Sequence, residues 1–496
     1  MRVLFIRPPH LDLDTMEPPR VGIPLGTISI AASVEKNGHD VKIFDSLLHR
    51  DDTEDRTHFG ASFEHIGREV LEFRPDVIGI ANLFSTQMKK ALGVTEYIKS
   101  VYPAAKIVIG GPHATSKPDE FLASSSVDAV VIAEGEVTFC ELLDYYSGKG
   151  RMESIKGVAY MKDGSMHVQP PEYIQDLDSI PYPAYHLIDM EKYFELAMQG
   201  LGSRYTDIFH NPKREITVIT SRGCPYECIF CSIHPTRGYK FRYQSPEYVA
   251  GHVEILVKKY GVELIHFEDD NLTLNQPRFE KVLDILWERG VHFEWDTPNG
   301  VRADALNFGL LEKIKRSGVR ELRIAIESPN NDVLNGIIKK RLDLDKAVET
   351  MRNCQKLKIP LSAFYIIGFP GETKDNIRET LDFAYEMMKK HDVKPHLHIA
   401  IPLVGTEMYD IAKEKGYLTS EDYTKGFIQG MGRIRTEHFT PEDLKEFSVQ
   451  FYKKVRKLYL MRKIQNPSGL LRDMKVFVKH PRSTIRIAKI ASGYTK

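Results

Sequence analysis

The chain has 496 residues, with 68 Lys and Arg against 68 Asp and Glu and only five cysteines. That length carries two or three domains with cores of ordinary size. The balanced charge gives no global field for nucleic acid, and five cysteines, three of them crowded into eight residues, do not make a disulfide framework. The apolar part of Met1–Arg7 is too short for a signal peptide, and no run approaches the ~20 apolar residues of a membrane span. A cytoplasmic, reducing location is expected.

Residues 1–150 alternate short β-branched runs with helical patterns. Strands are expected over Arg2–Ile6, Asp40–Phe44, Val77–Ile80, Lys106–Ile109 and Ala129–Ala133, and helices near 26–37, 62–73, 87–101 and 118–124. This rhythm predicts an α/β fold, a doubly wound, Rossmann-like parallel sheet whose ligand lies beyond the carboxyl ends of its strands. Those ends carry Leu83, Phe84, Ser85, Thr86, Gly110, Gly111, His113, Glu134, Gly135 and Glu136. Gly111 permits close backbone approach to a flat ligand, and the hydroxyls of Ser85 and Thr86 can donate to its edge. His113 reads as a hydrogen-bonding turn residue or a ligand contact. No GxGxxG fingerprint occurs, so a dinucleotide is disfavoured.

Residues 151–213 read as a linker with a small hairpin around Lys162-Asp163-Gly164, extended at Pro181 and Pro183. Its aromatic residues Tyr182, Tyr185, Tyr193, Phe194, Tyr205 and Phe209 either pack or wall a substrate channel.

Directly after the apolar run Ile216–Thr220 comes Cys224-Pro225-Tyr226-Glu227-Cys228-Ile229-Phe230-Cys231. Thiolates at these spacings can face one soft-metal or iron-sulfur centre from a single turning loop. Structural zinc normally takes four ligands, and only His234 is at hand to complete that set. Across residues 214–416, strands at 216–220, 263–268, 292–296, 321–327, 361–367 and 396–401 alternate with helices starting near Pro246, Pro277, Phe308, Leu344, Lys374 and Glu407. The pattern predicts a partial (β/α)6 barrel with its chemistry at the carboxyl ends of the strands. Those ends hold Glu268, Asp269 and Asp270, then Arg302, Glu327 with Ser328, and Gly368. An acidic cluster there suits an ammonium group, or is a surface turn. Cys140 and Cys354 read as packed thiols. Residues 417–496 read as a helical region that becomes strongly basic, either a solvated face or a docking surface for an acidic partner, a membrane surface or an anionic substrate.

The CxxxCxxC pattern, with Phe230 before its last cysteine, resembles the radical S-adenosylmethionine (SAM) superfamily. The strand ends of residues 1–150, with Pro24 and Leu25 in Val21-Gly22-Ile23-Pro24-Leu25-Gly26, resemble the cobalamin-binding domain that precedes the radical domain in one class of these enzymes. The resemblance implies a 4Fe-4S cluster on Cys224, Cys228 and Cys231, SAM chelated at the open iron, and an electron donor for the cluster. It also implies ligand contacts from Phe230, from Glu268, Asp269 and Asp270 to the amino group, from Arg302 to the carboxylate, from Glu327 and Ser328 to the ribose, and from Gly368 to the adenine. Cobalamin would meet Pro24, Leu25 and the strand ends already named. An Asp-x-His-x-x-Gly motif is missing, so cobalt would lack a protein histidine and Leu83 or Phe84 would face it. A vestigial N-terminal fold without cofactor is the alternative. The implied activity is methyl transfer from SAM through methylcobalamin to an unactivated sp3 carbon of a protein side chain or complex metabolite. The alternative is a non-methylating radical SAM reaction: cyclisation, ring contraction or coupling on a tetrapyrrole or lipid. A protein side chain, a lipid, a tetrapyrrole and an antibiotic precursor all stay open as substrate.

Overall fold

The computed structural model describes residues 1–11, 21–49, 51, 58–199, 201–202, 213–425 and 432–465. Tyr205, Phe209 and the basic residues from Arg472 onward lie outside them.

Strands β1 (Arg2–Arg7), β2 (Asp40–Asp45), β3 (Val77–Ala81), β4 (Lys106–Gly110) and β5 (Ala129–Val131) pair in parallel in the spatial order β2-β1-β3-β4-β5. Val3, Leu4, Phe5 and Ile6 are all buried, as expected of a strand covered on both faces. Helices α1 (Leu25–Lys36) and α4 (Gly135–Tyr146) cover one face; α2 (Phe63–Phe73) and α3 (Met88–Val101) cover the other. The strand order reverses between β1 and β3, the place where sheets of this kind open a ligand crevice.

The hairpin of the presumed linker belongs to this sheet. β6 (Val158–Lys162) pairs antiparallel with β5, and β7 (Ser165–Gln169) with β6, so the sheet is mixed at that edge. Val158, Ala159 and Tyr160 are buried against the N-terminal core, which a free hairpin could not achieve. Beyond it, α5 (Met190–Met198) sends Tyr193 back to donate to Asp45 at the end of β2.

The second sheet runs in chain order: β8 (Glu215–Val218), β9 (Leu264–Phe267), β10 (Glu294–Asp296), β11 (Val319–Glu327), β12 (Leu361–Ile367) and β13 (Lys394–Ile399), with Val301–Arg302 added beside β11. Every pairing is parallel, and β8 and β13 are the two ends of the order, so the barrel is partial. Its outer helices are α6 (Pro246–Tyr260), α7 (Gln276–Glu288), α8 (Phe308–Arg316), α9 (Leu344–Leu357), α10 (Lys374–His391) and α11 (Glu407–Glu414). Local chemistry sets their starts. Ser245 caps α6 with Pro246 at its first position, and Thr373 and Asn376 form a reciprocal cap on α10. Phe267, Phe279 and Trp295 meet edge to face under the sheet, each fully buried. A long helix, α12 (Pro441–Gln465), packs along α10. Among the described residues no helix is long and apolar enough to cross a membrane.

Candidate functional site

The cysteine loop leaves β8 through Ser221–Arg222, which pairs antiparallel with Arg242–Tyr243 and so closes the loop at its neck. Gly223 sits in that neck at φ 85°, where a Cβ would stand 2.4 Å from the Lys240 carbonyl oxygen, so only glycine fits. Further along, Ile229 N donates to the Ile338 carbonyl at 3.1 Å and Met408 N donates to the Ile229 carbonyl at 2.9 Å. The three thiols are half-buried. Burial pushes each of them up, Cys231 to about 12, so a bare thiol keeps its proton and a soft cation is needed to displace it. Among the described residues no three His, Cys, Asp or Glu side chains converge tightly enough to hold one metal ion. A multi-iron cluster does not need that convergence, because each sulfur meets a different corner. The donor set fits the cube.

The acids after β9 divide their labour. Asp269 accepts from Thr220 N at 3.0 Å, Thr220 Oγ1 at 2.7 Å and Ser221 Oγ at 2.5 Å. Asp270 accepts from Gly223 N at 2.8 Å and from Arg237 Nη1 at 3.0 Å. Both carboxylates therefore fasten the backbone leading into the loop, and Asp269 Oδ2 is left buried without a partner. Burial holds the Glu268 carboxyl above the usual range, against the pull of His266 and a hydrogen bond from Thr217. Asn271, absent from the sequence-derived set, brings Nδ2 to 3.9 Å from Cys224 Sγ and keeps a buried Oδ1 without a partner.

Arg302 is a strut. Its guanidinium donates to both Asp304 oxygens (3.1 and 2.7 Å) and to the Lys340 and Arg341 carbonyls (2.8 Å each), and it lies 3.7 Å from the centroid of Tyr226 in the cysteine loop. Four of its five N–H groups are so committed, which removes the bidentate fork expected for a ligand carboxylate. Glu327, at the end of β11, takes φ 67°, a strained backbone for a residue with a Cβ. One of its oxygens meets Lys340 Nζ at 2.6 Å, and the other is buried without a partner. Lys340, which sequence reading missed, lies near enough to lower the Cys228 thiol against the dominant effect of burial. Ser328 is fully buried and bonded to Thr380. Phe230 meets Phe369 at 5.6 Å. At Gly368, φ 92°, a Cβ would stand 2.7 Å from the Leu444 side chain of α12. Glu372 accepts from Gly368 N and Phe369 N at 2.6 and 2.8 Å; burial raises its carboxyl to about 7.

At the N-terminal sheet, Leu83 and Phe84 are exposed, on a loop whose N–H groups both donate to Gln87 Oε1. Asn82, next to them at the end of β3, is fully buried with both side-chain polar atoms unpartnered. Gly111 has φ 116°, and a Cβ there would stand 2.3 Å from the Asn82 carbonyl oxygen. A Cβ on Gly22 or Gly26 would meet nothing within 4 Å, so open space borders Pro24 and Leu25. An orphaned carboxamide beside that switch-point crevice fits a large ligand rich in amide groups, such as a corrinoid. His113 is buried between Ser85 (3.0 Å), Glu120 (3.3 Å), Phe121 and Tyr423, and burial pulls its pKa to about 4, so it acts as a neutral packing residue. Ser85 is bonded to it; Thr86 and Gly110 carry no comparable feature.

Glu134 and Glu136 are buried in ion pairs. Glu134 pairs with Arg242 at 2.8 Å and Arg222 at 3.3 Å, and Glu136 meets Arg222 at 2.6 Å and Ser29 at 2.8 Å. Burial alone would raise the Glu136 carboxyl, yet Arg222 and Ser29 hold it at about 2. Gly135 packs on Ile30. These ion pairs tie the end of β5 to the neck of the cysteine loop.

A flavodoxin-like sheet with an open switch point, clasped to a partial barrel whose first strand feeds a three-thiol loop, defines a radical SAM enzyme with a cobalamin domain. Comparison with known proteins agrees: residues 15–143 match the B12 binding domain and residues 218–384 the radical SAM superfamily. An uncharacterized methyltransferase of Pyrococcus horikoshii is 30% identical over 96% of this chain and 95% of its own. The cytidylyl-2-hydroxyethylphosphonate methyltransferase of Streptomyces wedmorensis is 30% identical over 87% of this chain and 85% of its own. Among solved structures, the cobalamin-dependent SAM radical enzyme OxsB matches with a TM-score of 0.72 at 18% identity, over 98% of this chain and 71% of that one. The radical SAM methyltransferase TsrM of Kitasatospora setae matches with a TM-score of 0.65 at 15% identity, over 90% and 82%. The chain belongs to the cobalamin-dependent radical SAM family, with a 4Fe-4S cluster, SAM and cobalamin as its cofactors.

Proposed function

We propose that the protein moves a methyl group from SAM to an unactivated carbon of its substrate, with cobalamin held by residues 1–150 and the cluster and SAM by residues 214–416. The observation that carries this is the buried clasp between Glu134 and Glu136 at the end of β5 and Arg222 and Arg242 at the neck of the cysteine loop. It joins the ligand-facing ends of the two sheets, the arrangement that two cofactors sharing one substrate require. Relatives named as methyltransferases at 30% identity point to the same reaction. An sp3 carbon has no lone pair with which to attack a sulfonium, so a polar transfer is closed to it.

When bound, the cluster supplies an electron for reductive cleavage of SAM and the corrinoid carries the methyl group. In this chain Cys224, Cys228 and Cys231 would hold the cluster; Asp269, Asp270 and Arg302 hold the loop that presents them. Glu268 and the free oxygen of Glu327 take the polar groups of SAM. Asn82 would take an amide of the corrin, and the exposed Leu83 and Phe84 would offer the corrinoid an apolar surface that excludes water. The protein draws on an electron donor and works in a reducing, cytoplasmic setting.

The test is anaerobic reconstitution with iron, sulfide and hydroxocobalamin, followed by incubation with methyl-labelled SAM and reductant. Both 5'-deoxyadenosine and S-adenosylhomocysteine are expected, with label passing to the corrinoid. Deoxyadenosine alone would refute methyl transfer and favour a non-methylating radical reaction; neither product would refute both.

A further inference from the structure

Helix α12 buries one face and exposes another. Leu444 and Phe451 are buried, while Val449, Leu460 and Met461 are 42, 50 and 42% exposed. At 3.6 residues per turn, Val449, Lys453, Lys457 and Leu460 fall on one stripe, with Met461 one turn from Lys457. Large apolar side chains thus stand exposed among ammonium groups. From Val449 to Lys496 the sequence holds 13 Lys and Arg against one acid, Asp473.

We propose that this face of α12 docks on an anionic lipid surface. Basic groups bring such a helix to negative headgroups, and apolar side chains between them enter the boundary of the acyl region. Nucleic acid would reward the cations through its phosphates but give Leu460 and Met461 no apolar contact. An acidic redox partner is disfavoured by position. Leu444 packs at the barrel rim beside Gly368, whereas Arg462 meets Asp392 and the Met388 carbonyl at the far end of α10. Those points are about 27 Å apart along the helix, so a partner seated on Leu460 would stand far from the thiols. A bilayer needs no such closeness, and at that distance it leaves the rim open.

The experiment is cosedimentation of the full-length protein with vesicles of phosphatidylcholine containing about 30 mol% phosphatidylglycerol, and with phosphatidylcholine alone. At least about tenfold more protein is expected on the anionic vesicles, with the difference lost at about 0.5 M salt. Two variants, Val449→Glu with Leu460→Glu and Met461→Glu, and Lys453→Glu with Lys457→Glu, are each expected to lose about tenfold in binding. Unchanged circular dichroism and corrinoid absorbance show that they are folded. Equal binding to both vesicles, no binding, binding untouched by either variant, or stronger binding to duplex DNA would overturn the proposal.

Discussion

Replacing Arg222 with methionine keeps most of the side chain's bulk and removes the charge that meets Glu136 and Glu134. Glu136 is only 6% exposed, and its carboxyl sits at about 2 against an ordinary 4.5. At 1.36 kcal/mol per pH unit, this difference amounts to about 3 kcal/mol of stability. Breaking a buried ion pair from one side costs about 3–5 kcal/mol in general, so the two routes agree. Because the folded carboxyl titrates below the unfolded one, the wild-type contribution is complete above about pH 4.5 and fades as the pH falls toward 2. In Arg222→Met the carboxylate has lost its countercharge and burial raises its pKa, so the variant recovers stability on acidification. Urea unfolding at about pH 7.5 and about pH 5 should show the deficit shrinking by at least about 1 kcal/mol at the lower pH. Adding Glu136→Gln should return much of the loss at neutral pH. A deficit below about 1 kcal/mol, or one indifferent to pH, would refute the reading of this clasp as a buried, charge-dependent bond.

Substituting Ala for Cys224, Cys228 or Cys231 should abolish iron and sulfide retention and 5'-deoxyadenosine formation while corrinoid binding persists, as read by metal analysis and absorbance. Gly111→Ala should cost at least about 1–3 kcal/mol and weaken corrinoid binding, because its Cβ would collide with the Asn82 carbonyl at a left-handed φ; denaturation and corrinoid titration check both effects. Glu372 titrates at about 7 in the fold against 4.5 unfolded, so stability falls as the pH rises through that window, by about 3 kcal/mol at most. Glu372→Gln keeps an acceptor for the Gly368 and Phe369 N–H groups and should flatten this fall in thermal melts taken across the window.

The elements were legible because their signals are local. β-branched runs marked both sheets, Ser245-Pro246 and Thr373 marked helix starts, and the cysteine spacing named its own loop. The partners were not legible. Charge shows that a residue needs a counterion without saying which, and Arg242 finds Glu134 across 108 positions and Arg222 finds Glu136 across 86. The protein bonds that Glu134, Glu136, Arg302, Asp269 and Asp270 make were equally invisible in the sequence. Lys340 sat in the run Lys339-Lys340-Arg341, where nothing set it apart from a solvated turn until Glu327 was found beside it. The hairpin at Asp163-Gly164 was readable, but its docking on β5 depends on a strand edge that only the assembled sheet provides.

The contact of Leu444 with Gly368 also orders events in time. The thiols leave the ribosome roughly two hundred residues before the helix that seals this side of the barrel, an interval of ~10–40 s at ordinary synthesis speeds. During that interval the loop is out of the ribosome while Leu444 is not yet beside Gly368. Maturation of the iron centre while the nascent polypeptide is still growing is therefore open to this protein, before the last helix has packed on the barrel.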